Sequence, residues 1–346
     1  MQKTNFKRVL VLGLVGLAAS FSSGMGPGDQ TSDPRDTAVD VHLNPHEVVG
    51  AESCEKCHAA ELSVWKQTPH HETFLTLHRR PEAQQIADRL GIASFKSDAA
   101  CVQCHYTMQA APQGLQAISG ISCESCHGAA KNWIEGHCDY GGAGVTRETE
   151  SVAHRAQRLR ESLAAGMRNP INVYLVAQSC YRCHTVPNER LVNVGGHKAG
   201  SLDFELVSWS HGSVRHNFLS SAGKDNAPSS PQRQRQLFMA GMIADLEFSL
   251  RATAAATEKA TFGVTAAARA ARAAKRLAAA QGQLKQSLLE EILAVYRSVE
   301  LKLNNGSQLT EAADSIAALG TRFAATVAGE QLEAIEAYIP SSDRWK

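Results

Sequence analysis

Residues 120–128 read Gly-Ile-Ser-Cys-Glu-Ser-Cys-His-Gly, and the string Cys123-x-x-Cys126-His127 inside them recurs three more times. The other copies are Cys54-x-x-Cys57-His58, Cys101-x-x-Cys104-His105 and Cys180-x-x-Cys183-His184, so eight of nine cysteines fall in four identical patterns. Two thiols three residues apart can each bond one vinyl group on the same edge of a porphyrin. The next imidazole then lies beneath the iron. Four covalently bound haem c groups are therefore expected. Cys54, Cys57, Cys101, Cys104, Cys123, Cys126, Cys180 and Cys183 hold them, and His58, His105, His127 and His184 are the proximal iron ligands. The rivals are tetrahedral zinc sites, which need no histidine after each pair, and a disulfide framework, which needs no such spacing at all. Cys138 belongs to no pattern and reads as a free thiol, with an intermolecular disulfide as the alternative.

The chain has 14 histidines. Beyond the four proximal ones stand His42, His46, His70, His71, His78, His137, His154, His197, His211 and His216. That surplus favours a second axial histidine on most irons. A closed sixth position blocks small-molecule chemistry and keeps the iron low-spin in both oxidation states, which suits electron transfer. An open one makes a binding site. The number of distal histidines thus separates a wire from an enzyme.

The span from about Ser53 to His137 resembles the cytochrome c-554 family of tetrahaem cytochromes. The resemblance rests on Cys54-x-x-Cys57-His58 followed by Trp65-Lys66-x-Thr68-x-His70, on Cys101-Val102-x-Cys104-His105, and on Gly120-x-x-Cys123-Glu124-Ser125-Cys126-His127-Gly128 with His137 ten residues on. It thins around the fourth pattern and is absent after about residue 220. The resemblance implies that His70 caps the third haem, opposite His127, and that His137 caps the first, opposite His58. It also implies a bis-histidine fourth haem and a second haem lacking a protein sixth ligand. His197, in Gly195-Gly196-His197-Lys198, and His216 are the candidates to face His184. Either of them, or His78 from the helix that carries His70, could close the second haem in departure from the family. His71 reads as a bystander, His42, His46 and His154 as surface histidines, and His211 as a reserve.

Lys3, Lys7 and Arg8 precede an apolar run from Val9 to Ala19. That is the pattern of a cleaved export signal over residues 1–25, too short for a comfortable membrane span, with an uncleaved anchor as the alternative. A periplasmic location follows. Residues 26–47 read as a linker or extended arm. The formal charge is +1, with no clustered basic face in the first half, which excludes a nucleic-acid binder.

Residues 48–220 are expected to form the haem domain. Short helices accompany each pattern, Glu61 to Arg79 is the clearest helix, and stacked macrocycles supply the core in place of side chains. From residue 221 the sequence changes character. Phe238, Met242, Leu246 and Leu250 recur every four residues, and Leu284 to Leu303 holds a helical period. The alanine-rich stretch Thr261 to Gln281, and the segments Leu309–Val327 and Glu330–Ile339, complete an antiparallel bundle of about four helices. Gly282 and Asn304-Asn305-Gly306 are its natural stops. The fold class is thus mainly α, a multihaem domain with little regular sheet followed by a helical bundle. Arg251, Lys259, Arg269, Arg272, Lys275, Arg276 and Lys285 stand against Glu258 alone and read as a solvated face with complementary packing, or as a docking surface for an acidic redox partner or lipid headgroup.

The function expected from these readings is electron carriage between redox proteins, free-standing or through a membrane-associated respiratory complex that the bundle recruits. Reduction of a nitrogen oxide or similar small ligand at an open second haem is the enzymatic alternative.

Overall fold

Three short helices end on the histidine of a Cys-x-x-Cys-His pattern, and the rest of the first half is arranged around them. A computed structural model describes residues 42–221 and 223–346. The expected export signal, and the arm as far as residue 41, lie outside the described residues.

Helix α1 (Glu55–Trp65) carries Cys57 and His58, and His58 itself leaves helical geometry at φ −120°, ψ 39°. Helix α2 (Pro69–Thr76) starts afresh, with Pro69 in its first turn and the Thr68 hydroxyl accepting from His71 N. The single helix expected over Glu61–Arg79 is therefore two. Proline lacks the amide proton and crowds the carbonyl four residues back, and threonine caps the new start. At its other end α2 gives way to a 3-10 turn, Leu77–Arg79, which takes His78 off the helix that carries His70.

Helices α3 (Pro81–Leu90) and α4 (Ala99–His105) follow, the latter capped by the Asp98 carboxylate on Ala100 N. The only sheet among the described residues is an antiparallel hairpin, β1 (Thr107–Ala111) with β2 (Gly114–Ser119), which pairs Ala111 with Gly114. It spans the second and third patterns. Helix α5 (Cys123–His127) opens on a capping box of Ser122 and Ser125. Thr107 Oγ1 donates to Gly120 O at 2.7 Å and lies within 3.1 Å of both serine hydroxyls, tying the hairpin to that cap. Helices α6 (Val152–Ala164), α7 (Val173–His184), α8 (Glu189–Asn193) and α9 (Leu206–Ser210) complete the first half.

The second half holds α10 (Pro231–Ala254), α11 (Thr261–Leu284), α12 (Ser287–Arg297), α13 (Gly306–Thr326) and a 3-10 segment, Gly329–Tyr338, where an α-helix was expected. Gly282 lies inside α11, and the helix turns off at Lys285 in the left-handed region, φ 53°. The Leu284–Leu303 period accordingly shortens to α12.

A change of sequence character near residue 221 is not a break in packing, since the described chain clusters as one compact unit. The main core mixes Val173, Tyr174, Ala177 and Tyr181 of α7 with Met239, Ile243 and Leu246 of α10 and Leu277 of α11. Polar groups are buried in the same seam. Tyr174 Oη donates to Glu247 at 2.6 Å, Gln178 Nε2 to the same oxygen at 2.9 Å, and Arg251 to its other oxygen at 3.0 Å. Arg269 Nε donates to Asp245 at 2.5 Å. Of the basic residues considered as a docking surface, Arg251 and Arg269 are thus engaged between helices, and the Arg276 guanidinium lies over the Phe238 ring. By contrast, none of the buried hydrophobic clusters among the described residues is centred between Val48 and Gly128.

Candidate haem sites

Each proximal histidine faces one other histidine. The ring centres of His58 and His137 are 6.3 Å apart, those of His70 and His184 6.3 Å, those of His105 and His197 6.4 Å, and those of His127 and His216 6.2 Å. Two metal–nitrogen bonds of about 2 Å, plus about 1.2 Å from each nitrogen to its ring centre, give roughly 6.4 Å for two imidazoles on opposite sides of one metal. All four pairs have that spacing. Among the described residues no three of His, Cys, Asp or Glu converge as a bare ion requires. Histidines meeting in twos leave the remaining donors to a planar macrocycle, so the residues present fit haem.

The pairing differs from the one implied by family resemblance. His70 lies against His184, not His127, and His127 lies against His216. The second pattern also has a histidine opposite it, since His197 faces His105. His78 has no histidine ring against it, and its Nδ1 is buried without a hydrogen-bond partner. Contacts between segments distant in the chain hold α2 in place. Gly120 lets the strand end press on α2, with Ile121 N donating to His70 O at 3.0 Å and the place of a side chain filled by that carbonyl. Trp65 Nε1 donates to Ile121 O at 2.8 Å.

Several of these rings are oriented through Nδ1. His137 Nδ1 is 2.6 Å from Ile134 O, His197 Nδ1 2.7 Å from Lys198 O, His216 Nδ1 2.7 Å from Val214 O, and His127 Nδ1 3.2 Å from Arg168 O. A proton held on Nδ1 by a carbonyl leaves Nε2 as the free lone pair, the usual support for a ligating histidine. Arg89 Nη1 donates to Gly195 O at 3.1 Å and fixes the loop that presents His197, where Gly196 turns the chain at φ +74°. Burial holds His105 and His127 at about 4 and His184 at about 3, so these imidazoles are neutral at pH 7, the metal-binding form.

The remaining histidines have other partners. His71 packs edge-on to Trp65, and His154 Nδ1 meets Glu150 at 2.7 Å. The buried His211 receives Ser229 N on Nε2 at 3.3 Å and lies against Trp345. Aromatic rings that the sequence reading did not single out surround the fourth site. Phe204 stacks on His184 at 4.0 Å and 12°, and Trp209 stands 5.8 Å from it. Their signal was present only as two aromatics in a stretch otherwise poor in them.

All nine thiols are free, and their contacts run between patterns. Cys54 is in hydrogen-bond contact with Cys123, and Cys104 with Cys183. Ser179 Oγ, next to Cys180, donates to Cys126 O at 2.9 Å. The first pattern therefore adjoins the third, the second adjoins the fourth, and the third meets the fourth.

A family model described as "Cytochrome c554 and c-prime" matches residues 53–128. Cytochrome c-554 of Nitrosomonas europaea is 31% identical over 99 residues, which is 25% of this chain and 41% of that relative, so the chain spans well under half of the relative's length. No solved structure matches the chain. Residues 53–128 are thus similar to the cytochrome c554 family, and the match takes in the first three Cys-x-x-Cys-His patterns and His70 and stops short of the fourth.

Proposed function

We propose that the chain is an exported tetrahaem c-type cytochrome that passes electrons between redox proteins through four bis-histidine haems. The observation that carries this reading is the common spacing of 6.2 to 6.4 Å between each proximal histidine and a second one. When bound, haem supplies an iron that accepts and releases single electrons. The chain's own residues do the rest. His58 with His137, His184 with His70, His105 with His197 and His127 with His216 hold the axial positions, so little rearranges on reduction.

The thiol contacts support a close, stacked order of first, third, fourth, second along the wire. The lack of a side-chain core between Val48 and Gly128 is explained if macrocycle faces fill that space. The start of the sequence supports export to the periplasm. Each ferric haem adds about one negative charge, so partners meet the protein through basic surfaces and exchange weakens with salt. A membrane-associated complex is one such partner class.

The reading opposed to this one is reduction of a nitrogen oxide at an open second haem, and the ring of His197 opposite His105 weighs against it. The test is the mature protein's mass and spectrum. We expect about 2.5 kDa of added cofactor and entirely low-spin ferric haem that ignores cyanide and nitric oxide. A high-spin component that shifts with either ligand would favour the enzyme. A mass without added cofactor would end both readings.

A further inference from the structure

Two arginines meet where the third and fourth patterns touch. Arg168 has no exposed surface, and its Nη2 donates to Glu124 O at 3.3 Å and Ser125 O at 3.4 Å. Arg182 lies inside the fourth pattern, between Cys180 and Cys183, and its Nη2 donates to the same Ser125 O at 3.3 Å. Its Nε is buried without a hydrogen-bond partner. Both guanidiniums thus converge on the backbone of the third pattern from the helix of the fourth and the loop before it. A guanidinium does not lose its proton in a protein, so this charge is permanent.

The first pattern has the opposite surroundings. Glu61 Oε1 stands 3.6 Å from His58 Nδ1. The Glu124 carboxylate accepts from Val49 N, Gly50 N and Ala130 N, at 3.0, 2.8 and 2.9 Å, which turns its charge toward the first pattern's entry loop. The third cation near the fourth site, Arg269, is matched by Asp245 and adds little net charge.

We propose that Arg168 and Arg182 make the third and fourth haems the resting place of the first electrons to enter, by raising their reduction potentials above that of the first. Adding one electron to a ferric haem lowers its net charge by one and makes or breaks no bond; a reduced redox protein is the donor. A buried permanent cation stabilises the reduced form, and a nearby carboxylate destabilises it. Electrons then settle on the third and fourth haems in preference to the first.

This inference rests on the four-haem reading above, and the two fail separately. A haem count below four, or a high-spin signal, defeats that reading before any potential is measured. With four low-spin haems present, the test is a potentiometric titration of the holoprotein followed by low-temperature EPR. The ring planes at the first site are 22° apart and those at the third 90° apart, so their ferric signals differ in anisotropy and can be told apart. We expect the signal of the third site to disappear at higher potential than that of the first. This reduction order is read on the unmodified protein and does not depend on a variant folding. Arg182→Gln should lower the third and fourth midpoints and leave the first in place, and Arg182→Lys should restore them. The first haem reducing before the third, or Arg182→Gln and Arg182→Lys behaving alike, would overturn the proposal.

Discussion

His105, the last residue of its helix, faces His197 with ring centres 6.4 Å apart, and the loop presenting His197 is held by a hydrogen bond from Arg89 to Gly195 O. A wire closed at this position should be opened by one substitution. His197→Ala is expected to convert one haem in four to a high-spin form that binds cyanide, leaving three low-spin signals unchanged. Ligand-titrated EPR checks this. An all-low-spin variant would mean that another side chain, His78 being nearest in sequence role, takes the site.

Gly320 of α13 lies against Tyr174, and a Cβ there would stand 2.4 Å from the ring. Tyr174 is fully buried and its hydroxyl holds Glu247, so the ring has nowhere to move. Gly320→Ala should destabilise the protein by about 1–3 kcal/mol despite the better helix propensity of alanine. Gly282 sits inside α11 with nothing within 4 Å of its would-be side chain. Gly282→Ala should stabilise by about 0.5–1 kcal/mol. Denaturant midpoints of the two variants, moving in opposite directions, are the measurement.

Much of the site could be read from the chain because its signals are local. A thiol spacing of three with an adjacent imidazole survives any fold, and α10 and α12 follow from apolar periods that the core then uses. The exchange of His70 between partners was not legible. It depends on how α2 docks, through Ile121 N on His70 O and Trp65 Nε1 on Ile121 O, and such long-range backbone contacts leave no periodic mark. The break at Pro69 was visible in the sequence, but the helical pattern on both sides of it outweighed the proline in the reading. The role of the second half was hidden for a similar reason. Its basic residues read as a charged surface, whereas Arg251 of α10 meets Asp314 of α13 and Arg269 of α11 meets Asp245 of α10 across the seam.

Glu150 accepts from Arg158 Nε at 2.8 Å and Nη2 at 2.5 Å and from His154 at 2.7 Å, and Arg158 Nη1 reaches His137 O at 2.6 Å. The Arg158 hydrogen bonds pull the Glu150 carboxyl down to about 2 from an ordinary 4.5. A carboxylate with a lowered folded pKa contributes stability in full above its unfolded value and loses it as pH falls. The contribution of Glu150 should therefore fade between about pH 4.5 and 2, and Glu150→Gln should flatten that part of the curve while lowering stability at neutral pH. Chemical denaturation at a series of pH values decides it. An unchanged slope in Glu150→Gln would assign the acid sensitivity elsewhere.

The helices after Ser230 share their core with α7, the helix that ends on Cys180, Cys183 and His184. Cutting the chain there would expose Val173, Tyr174, Ala177 and Tyr181 together, four neighbours on one face that are now almost wholly buried. It would also remove Arg269, whose guanidinium donates to Ser201 O in the segment leading to Phe204 on the His184 ring. A chain ending at Ser230 is accordingly expected to be proteolysed or to accumulate without its full haem complement, as haem staining and intact mass would report. If the second half were a separable docking module, the shortened protein would instead keep four haems and lose only a partner. The buried contacts of Tyr174 and Tyr181 with α10 and α11 favour the first outcome, because no surface of α7 is left to carry the fourth site once that face meets water.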